Sequence, residues 1–176
     1  PPNTIGNFRD SRISATASTK LNTSTTYAYD PNRTTLLNNA GLAQGPGPYK
    51  AYYVDANHGT VGVNNMWLTM PNDPNRFIQY VFDKPYKLSD MLVWNYNETT
   101  PLKAIGIYLS GLGIKDVNIY TTPDYGTTWT PLTQTQLKKA TEYPSYWARD
   151  PVNGNDVNLA NITVTGVKLQ AINNWS

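Results

Sequence analysis

The chain has no cysteine. Disulfides, thiolate zinc sites and cysteine nucleophiles are therefore excluded. The compartment stays open, because 176 residues can bury a sizeable core without cross-links. Histidine occurs once, as His58, and glutamate twice, as Glu98 and Glu142. A histidine-based metal centre or a Ser-His-Asp triad would rest on His58 alone, and no nucleophile-elbow glycine pattern accompanies it. A glycosidase needs two carboxyl groups flanking one bond. Glu98, just past a strand pattern, is a place where a catalytic acid could sit, but a residue so placed is more often a solvated loop charge. No glycine-rich phosphate loop precedes a helical pattern. These absences point away from catalysis.

Charge is also scarce. Charged residues make up 15% of the chain, the formal net charge is +2, and Lys138-Lys139 is the single adjacent basic pair. Nucleic-acid binding wants clustered Lys and Arg, so no nucleic-acid partner is expected. No apolar run approaches the roughly 20 residues of a membrane span. The chain opens Pro1-Pro2 without a leader pattern. We expect residues 1–176 to be a single domain, processed or excised from a larger protein with covalent neighbour domains.

What the chain does have is threonine, asparagine, thirteen tyrosines and five tryptophans. Such a composition suits glycan handling outside the cell, and equally suits strand formation. Ile13, Ala15 and Ala17 alternate with Ser14, Thr16 and Ser18, a half-buried strand. Residues 36–42 read as a short helical turn closing at Gly41. Gln44 to Pro48 is a loop, and Tyr49 to Asn65 a long surface loop. Phe77 to Asp83 and Leu88 to Asn97 read as two strands. Lys115 to Thr121 places Val117 and Ile119 on one face and Asp116, Asn118 and Tyr120 on the other. Pro123 to Gly126 is a turn with Gly126 able to take positive φ, and Thr127 to Thr130 returns as a strand. Leu132 to Thr141 is the best helix candidate. In Ile162 to Ile172 the apolar phase switches at Gly166, the pattern of a β-bulge. Many short strands between Gly/Pro/Asn turns predict an all-β sandwich or barrel.

Several segments also resemble a known family, in order. They are the opening strand Ile13 to Ser18, then Leu37-Asn38-Asn39-Ala40-Gly41-Leu42, then His58 ahead of Met66-Trp67-Leu68-Thr69. Phe77 to Leu88 leads into Trp94-Asn95-Tyr96-Asn97. Gly113-Ile114-Lys115-Asp116-Val117, Thr127 to Thr130, Val164 to Leu169 and Asn173-Asn174-Trp175 follow. Together they resemble a discoidin-like (coagulation factor V/VIII type C) domain, similar to the family 32 carbohydrate-binding modules. The resemblance implies an antiparallel β-sandwich jelly roll, galactose-binding-domain-like. The chain departs from the family pattern at three places. Leu112 stands where arginine usually precedes Gly-Ile-Lys. The loop Glu98 to Leu112 is longer and more apolar, with Ile105, Ile107, Tyr108 and Leu109. The usual closing Gly-Leu-Ser-Glu-Val strand does not follow Trp175, so either that strand is missing or a segment such as Pro2 to Arg9 fills the edge.

The resemblance also implies a structural calcium ion (Ca2+) near the first turn. The matching positions are Asn38, Gly41 and Asn65, with Asp55 nearby in sequence; oxygen donors of this kind suit a hard cation. Asn38-Asn39 as plain turn support is the alternative.

Sugars offer flat apolar faces and dense hydroxyls, so their recognition wants aromatic platforms beside polar side chains. Tyr52, Tyr53 and His58 form one such set. Tyr143, Tyr146, Trp147 and Arg149 form a denser one. Asn95 and Asn97, at a strand end, are further candidates, while Trp94 and Trp129 read as core. The expectation is a non-catalytic bacterial carbohydrate-binding module, secreted or at the cell surface, holding a polysaccharide or other glycan. A protein- or lipid-binding discoidin domain, with Ile105 to Leu109 as its apolar tip, is the alternative, as is a structural accessory domain of a multidomain extracellular enzyme.

Overall fold

The computed structural model describes residues 13–18, 42–43, 57–58, 69, 72–93, 95–142 and 156–176. The described chain is antiparallel β-structure, as the sequence predicts. Five strands form one sheet: β1 (Ile13–Ala17), β4 (Phe77–Leu92), β7 (Asp156–Ala171), β5 (Asp116–Thr122) and β6 (Thr130–Gln136), in the order β1-β4-β7-β5-β6. Two short strands, β2 (Leu42–Ala43) and β3 (Asn57–His58), pair separately, with Leu42 opposite His58. The expected long loop from Tyr49 to Asn65 therefore contains a short strand near its middle, Asn57–His58. Two 3₁₀ turns, Pro101–Ile105 and Leu109–Leu112, lie between β4 and β5.

The alternation read in β5 holds. Val117 and Ile119 have no exposed surface, and Leu169 and Val167 of β7 pack in the same core. Burying each such side chain contributes about 2 kcal/mol before chain entropy is charged against it. Ile78, Phe82, Tyr86, Val157, Leu159 and Val164 complete the cluster with Leu137.

Three elements differ from the sequence reading. The two strands expected over residues 77–97 are one, β4, which ends at Leu92. It continues past Pro85 because the register slips there. Val81 pairs with Gly166 and Tyr86 with Val164, so Phe82 to Pro85 face Thr165 alone. Pro85 sits in this exposed excursion, where no ladder hydrogen bond is asked of it. The phase switch predicted at Gly166 is present, with Val164 to Val167 all buried, but the extra residues are on β4. Gly166 is required by close approach: a Cβ there would lie 2.5 Å from the Tyr80 carbonyl oxygen and 2.8 Å from Thr122 Cγ2. A second slip sets Leu159 to Asn161 opposite Ser89, with Ala160 and Asn161 at φ of 58° and 56°.

The helix considered over residues 132–141 is instead strand β6 as far as Gln136; its Thr-Gln repeats suit a half-exposed strand paired to β5. Trp129 is half-buried and stands outside the core cluster, and β6 begins after it, at Thr130. Trp94 lies outside the described residues.

The turn after β5 takes the predicted form and extends it. Gly126 has φ 89° and Tyr125 φ 58°. Asp124 organises it: its carboxylate accepts from Thr122 Oγ1 at 2.7 Å, from the Thr128 N–H at 2.8 Å and from Thr128 Oγ1 at 2.7 Å. Those bonds, Thr128 Oγ1 first, hold its pKa down to about 2.

Candidate functional site

Beyond Leu92 the chain turns inward. Asn95, Tyr96 and Asn97 are consecutive and all buried, at 4%, 7% and 0% exposure. A regular strand cannot bury three successive side chains on one face. Side-chain bonds to backbone replace the ladder here. Asn95 Oδ1 accepts from the N–H groups of Tyr96 and Ile114, each at 2.9 Å. Its Nδ2 donates to the carbonyls of Ile114 at 2.6 Å and Lys138 at 2.9 Å. Two donors and two lone pairs are the whole capacity of a carboxamide. Asn95 therefore ties the exit of β4 to the entry of β5 and the exit of β6, and keeps no hydrogen bond for a ligand. Gly113 makes room for it, since a Cβ there would lie 2.7 Å from Asn95 Oδ1.

Asn97 Oδ1 accepts the N–H of Glu142 at 2.6 Å. Glu142 is the last described residue before the aromatic run 143–150. It is 4% exposed and takes φ 60°, a left-handed conformation costing a non-glycine residue about 1 kcal/mol. Its Oε1 accepts the Ser110 N–H at 2.8 Å, and its Oε2 lies 3.7 Å from Lys103 Nζ. Oε2 is buried and accepts no hydrogen bond among the described residues. Glu98 accepts the Tyr96 hydroxyl. The result is a polar clamp around Glu142, the residue that precedes 143–150 in the sequence.

Beside the clamp is the lengthened loop. Ile105, Ile107, Tyr108 and Leu112 are exposed by 73%, 45%, 50% and 43%. The ammoniums of Lys103 and Lys139 lie 5.8 and 5.7 Å from the Tyr108 ring centroid.

Of the expected ligand contacts, Asn95 and Asn97 are inside the domain and built into the clamp. His58 is in β3, opposite Leu42. Tyr52, Tyr53, Tyr143, Tyr146, Trp147 and Arg149 lie outside the described residues, as do the calcium candidates Asn38, Gly41, Asp55 and Asn65 and the edge candidate Pro2 to Arg9. Among the described residues no three His, Asp or Glu side chains cluster as metal ligands, and no helix is long and apolar enough to cross a membrane. The anchoring role of Glu142 was not read from the sequence. Its signal was a lone acid directly beside an aromatic run.

No family model matches the sequence, and no curated protein matches it. Solved structures do match. One is the family 32 carbohydrate-binding module of Clostridium perfringens NanJ, in complex with galactose. It shares 13% identity over 92% of this chain and 83% of its own, with a TM-score of 0.50. A second is the module CBM32-3 of a family 31 glycoside hydrolase, also from Clostridium perfringens. It shares 11% identity over 92% of this chain and 79% of its own, with a TM-score of 0.53. The fold is that of the family 32 carbohydrate-binding modules. This family 32-like chain is therefore an antiparallel β-sandwich, as the ordered sequence segments imply.

Proposed function

We propose that the chain is a non-catalytic carbohydrate-binding module that holds a glycan through loops at one end of the sandwich. The observation that carries this reading is the fold shared with the family 32 modules over 92% of the chain. The contacts in this reading are Tyr52, Tyr53, His58, Tyr143, Tyr146, Trp147 and Arg149. Asn95 and Asn97 are buried and are not among the contacts; Asn97 bonds Glu142, which immediately precedes the aromatic run in sequence. Rings in that run offer faces for sugar C–H groups, and Arg149 offers a fork of donors for hydroxyls. The reading places the module outside a bacterial cell, beside other domains of an enzyme or adhesin. Calcium belongs to it through Asn38, Gly41, Asp55 and Asn65; EDTA should then lower the melting temperature and excess calcium restore it.

Calorimetry against a panel of galactose-containing polysaccharides tests the proposal, since galactose is what the NanJ module is seen holding. Binding should be present in the parent chain and abolished by Trp147→Ala. A parent chain that binds no glycan in the panel would overturn it. A second reading, docking to a protein or lipid surface, has one observation of its own: the exposed ridge Ile105, Ile107, Tyr108 and Leu112 flanked by Lys103 and Lys139. Co-sedimentation with anionic vesicles separates the two, and the glycan reading expects none.

A further inference from the structure

The sheet face turned away from the core carries a cluster that the loop site does not use. Residues out of phase with the buried set of β4, β7 and β5 share this face. Gln79, Lys168 and Tyr120 are direct cross-strand partners, and Phe77, Gln170 and Asn118 form the next row. The Lys168 ammonium lies 4.7 Å from the Tyr120 ring centroid, 4.9 Å from Trp129 and 5.8 Å from Phe77. All of these residues are half-buried. Partial burial lowers the Lys168 pKa. Ring faces leave the ammonium's charge unneutralised, so it remains open to an anion.

Among the described residues no carboxylate supplies it. Asp116, in phase with Asn118 and Tyr120, accepts from Gln136 Nε2 at 3.0 Å and from Asn173 Nδ2 at 2.7 Å. Asp124 is bound by Thr122 and Thr128. Among the described residues no acid pairs with Lys168. In the two rows around Lys168 the amides are those of Gln79, Gln170 and Asn118, suited to hydroxyls and not to clustered phosphates.

We propose that this face is a second binding surface, for a carboxylate-bearing sugar chain. The sugar carboxylate meets Lys168, pyranose faces stack on Trp129 and Tyr120, and Gln79, Gln170 and Asn118 bond ring hydroxyls. The row from Gln79 to Tyr120 crosses two strand spacings, about 10 Å, room for a short run of sugar units. A single cation among rings and amides favours one spaced carboxylate over a polyphosphate.

The test is calorimetry with a galacturonate oligomer and, separately, a neutral galactan, on the full chain and its variants. The galacturonate oligomer should bind the parent chain, more weakly as salt rises. Lys168→Met and Trp129→Ala should each weaken that binding about tenfold or more, leaving neutral binding unchanged. Trp147→Ala should do the reverse. If Trp129→Ala does not fold, Lys168→Arg decides: it retains galacturonate binding where Lys168→Met loses it. Absence of galacturonate binding in the parent chain, equal affinity of Lys168→Met and parent, or loss of galacturonate binding on Trp147→Ala would each overturn the proposal. Failure of the parent to bind neutral glycans counts against the loop reading alone.

Discussion

The clamp around Asn95 and the turn around Asp124 use the same device, a short polar side chain bonded to nearby backbone. They differ in burial. Asn95 has four bonds and 4% exposure, and it joins segments far apart in sequence. Asp124 bonds within four residues of itself, at a place where water is a ready substitute. Removing one partner of a buried set leaves the others desolvated and unpaired, whereas an exposed set is rescued by water. The clamp should therefore be structural for the whole end of the domain, and the turn only for itself.

The strongest break of that comparison is Asn95→Ala. It orphans the Tyr96 and Ile114 N–H groups and the Ile114 and Lys138 carbonyls, and should cost about 3–4 kcal/mol, read as a large drop in denaturation midpoint. Gly113→Ala pushes a methyl into the same amide and should cost about 2 kcal/mol; an unchanged midpoint would mean that the clamp is looser than the geometry shows. Glu142→Gln keeps the acceptor for Ser110 but weakens the pairing with Lys103, for about 1 kcal/mol. Its sharper readout is glycan affinity, which should fall if the proposed contacts just after Glu142 in sequence bind the sugar, while the melt shifts only slightly.

Smallest is Asp124→Asn. The folded pKa of Asp124 is about 2, below the value near 3.9 of an unfolded aspartate. Its contribution is complete above about pH 4 and is lost as pH falls towards 2. The variant should show a shallower acid limb in a stability-against-pH curve, with a small loss near neutrality, where solvent screens the carboxylate, and convergence with the parent towards pH 2. A large loss at pH 7 would contradict the contrast between turn and clamp.

The same contrast marks what the sequence made legible. Local patterns carried over: the alternation of Val117 and Ile119, the positive φ of Gly126 and the irregularity at Gly166. Long-range effects did not. Pro85 looked like a strand break because the slip that shelters it depends on β7, some eighty residues away. Leu132 to Gln136 looked helical because its pairing with β5 is invisible in local spacing. Asn95 and Asn97 looked like ligand contacts because asparagine at a strand end is common to binding loops and to buried braces, and only tertiary packing separates them. The burial phase of Tyr120 was readable, but Trp129 was assigned to the core because its half-covered position beside Gly126 follows from the turn, not from its own neighbours.

The place of β7 in the sheet has a kinetic consequence. It stands between β4 and β5, yet all its partners precede it in the chain. During synthesis the β5–β6 hairpin is local and closes early, and β1 finds β4 across some sixty residues. These two halves then wait, each with an unpaired edge, until residues 156–171 emerge and zip between them. Contacts of such sequence separation fold slowly and leave edges open to wrong partners. The late strand is thus both the keystone of the sheet and the step at which a refolding preparation is most prone to aggregate.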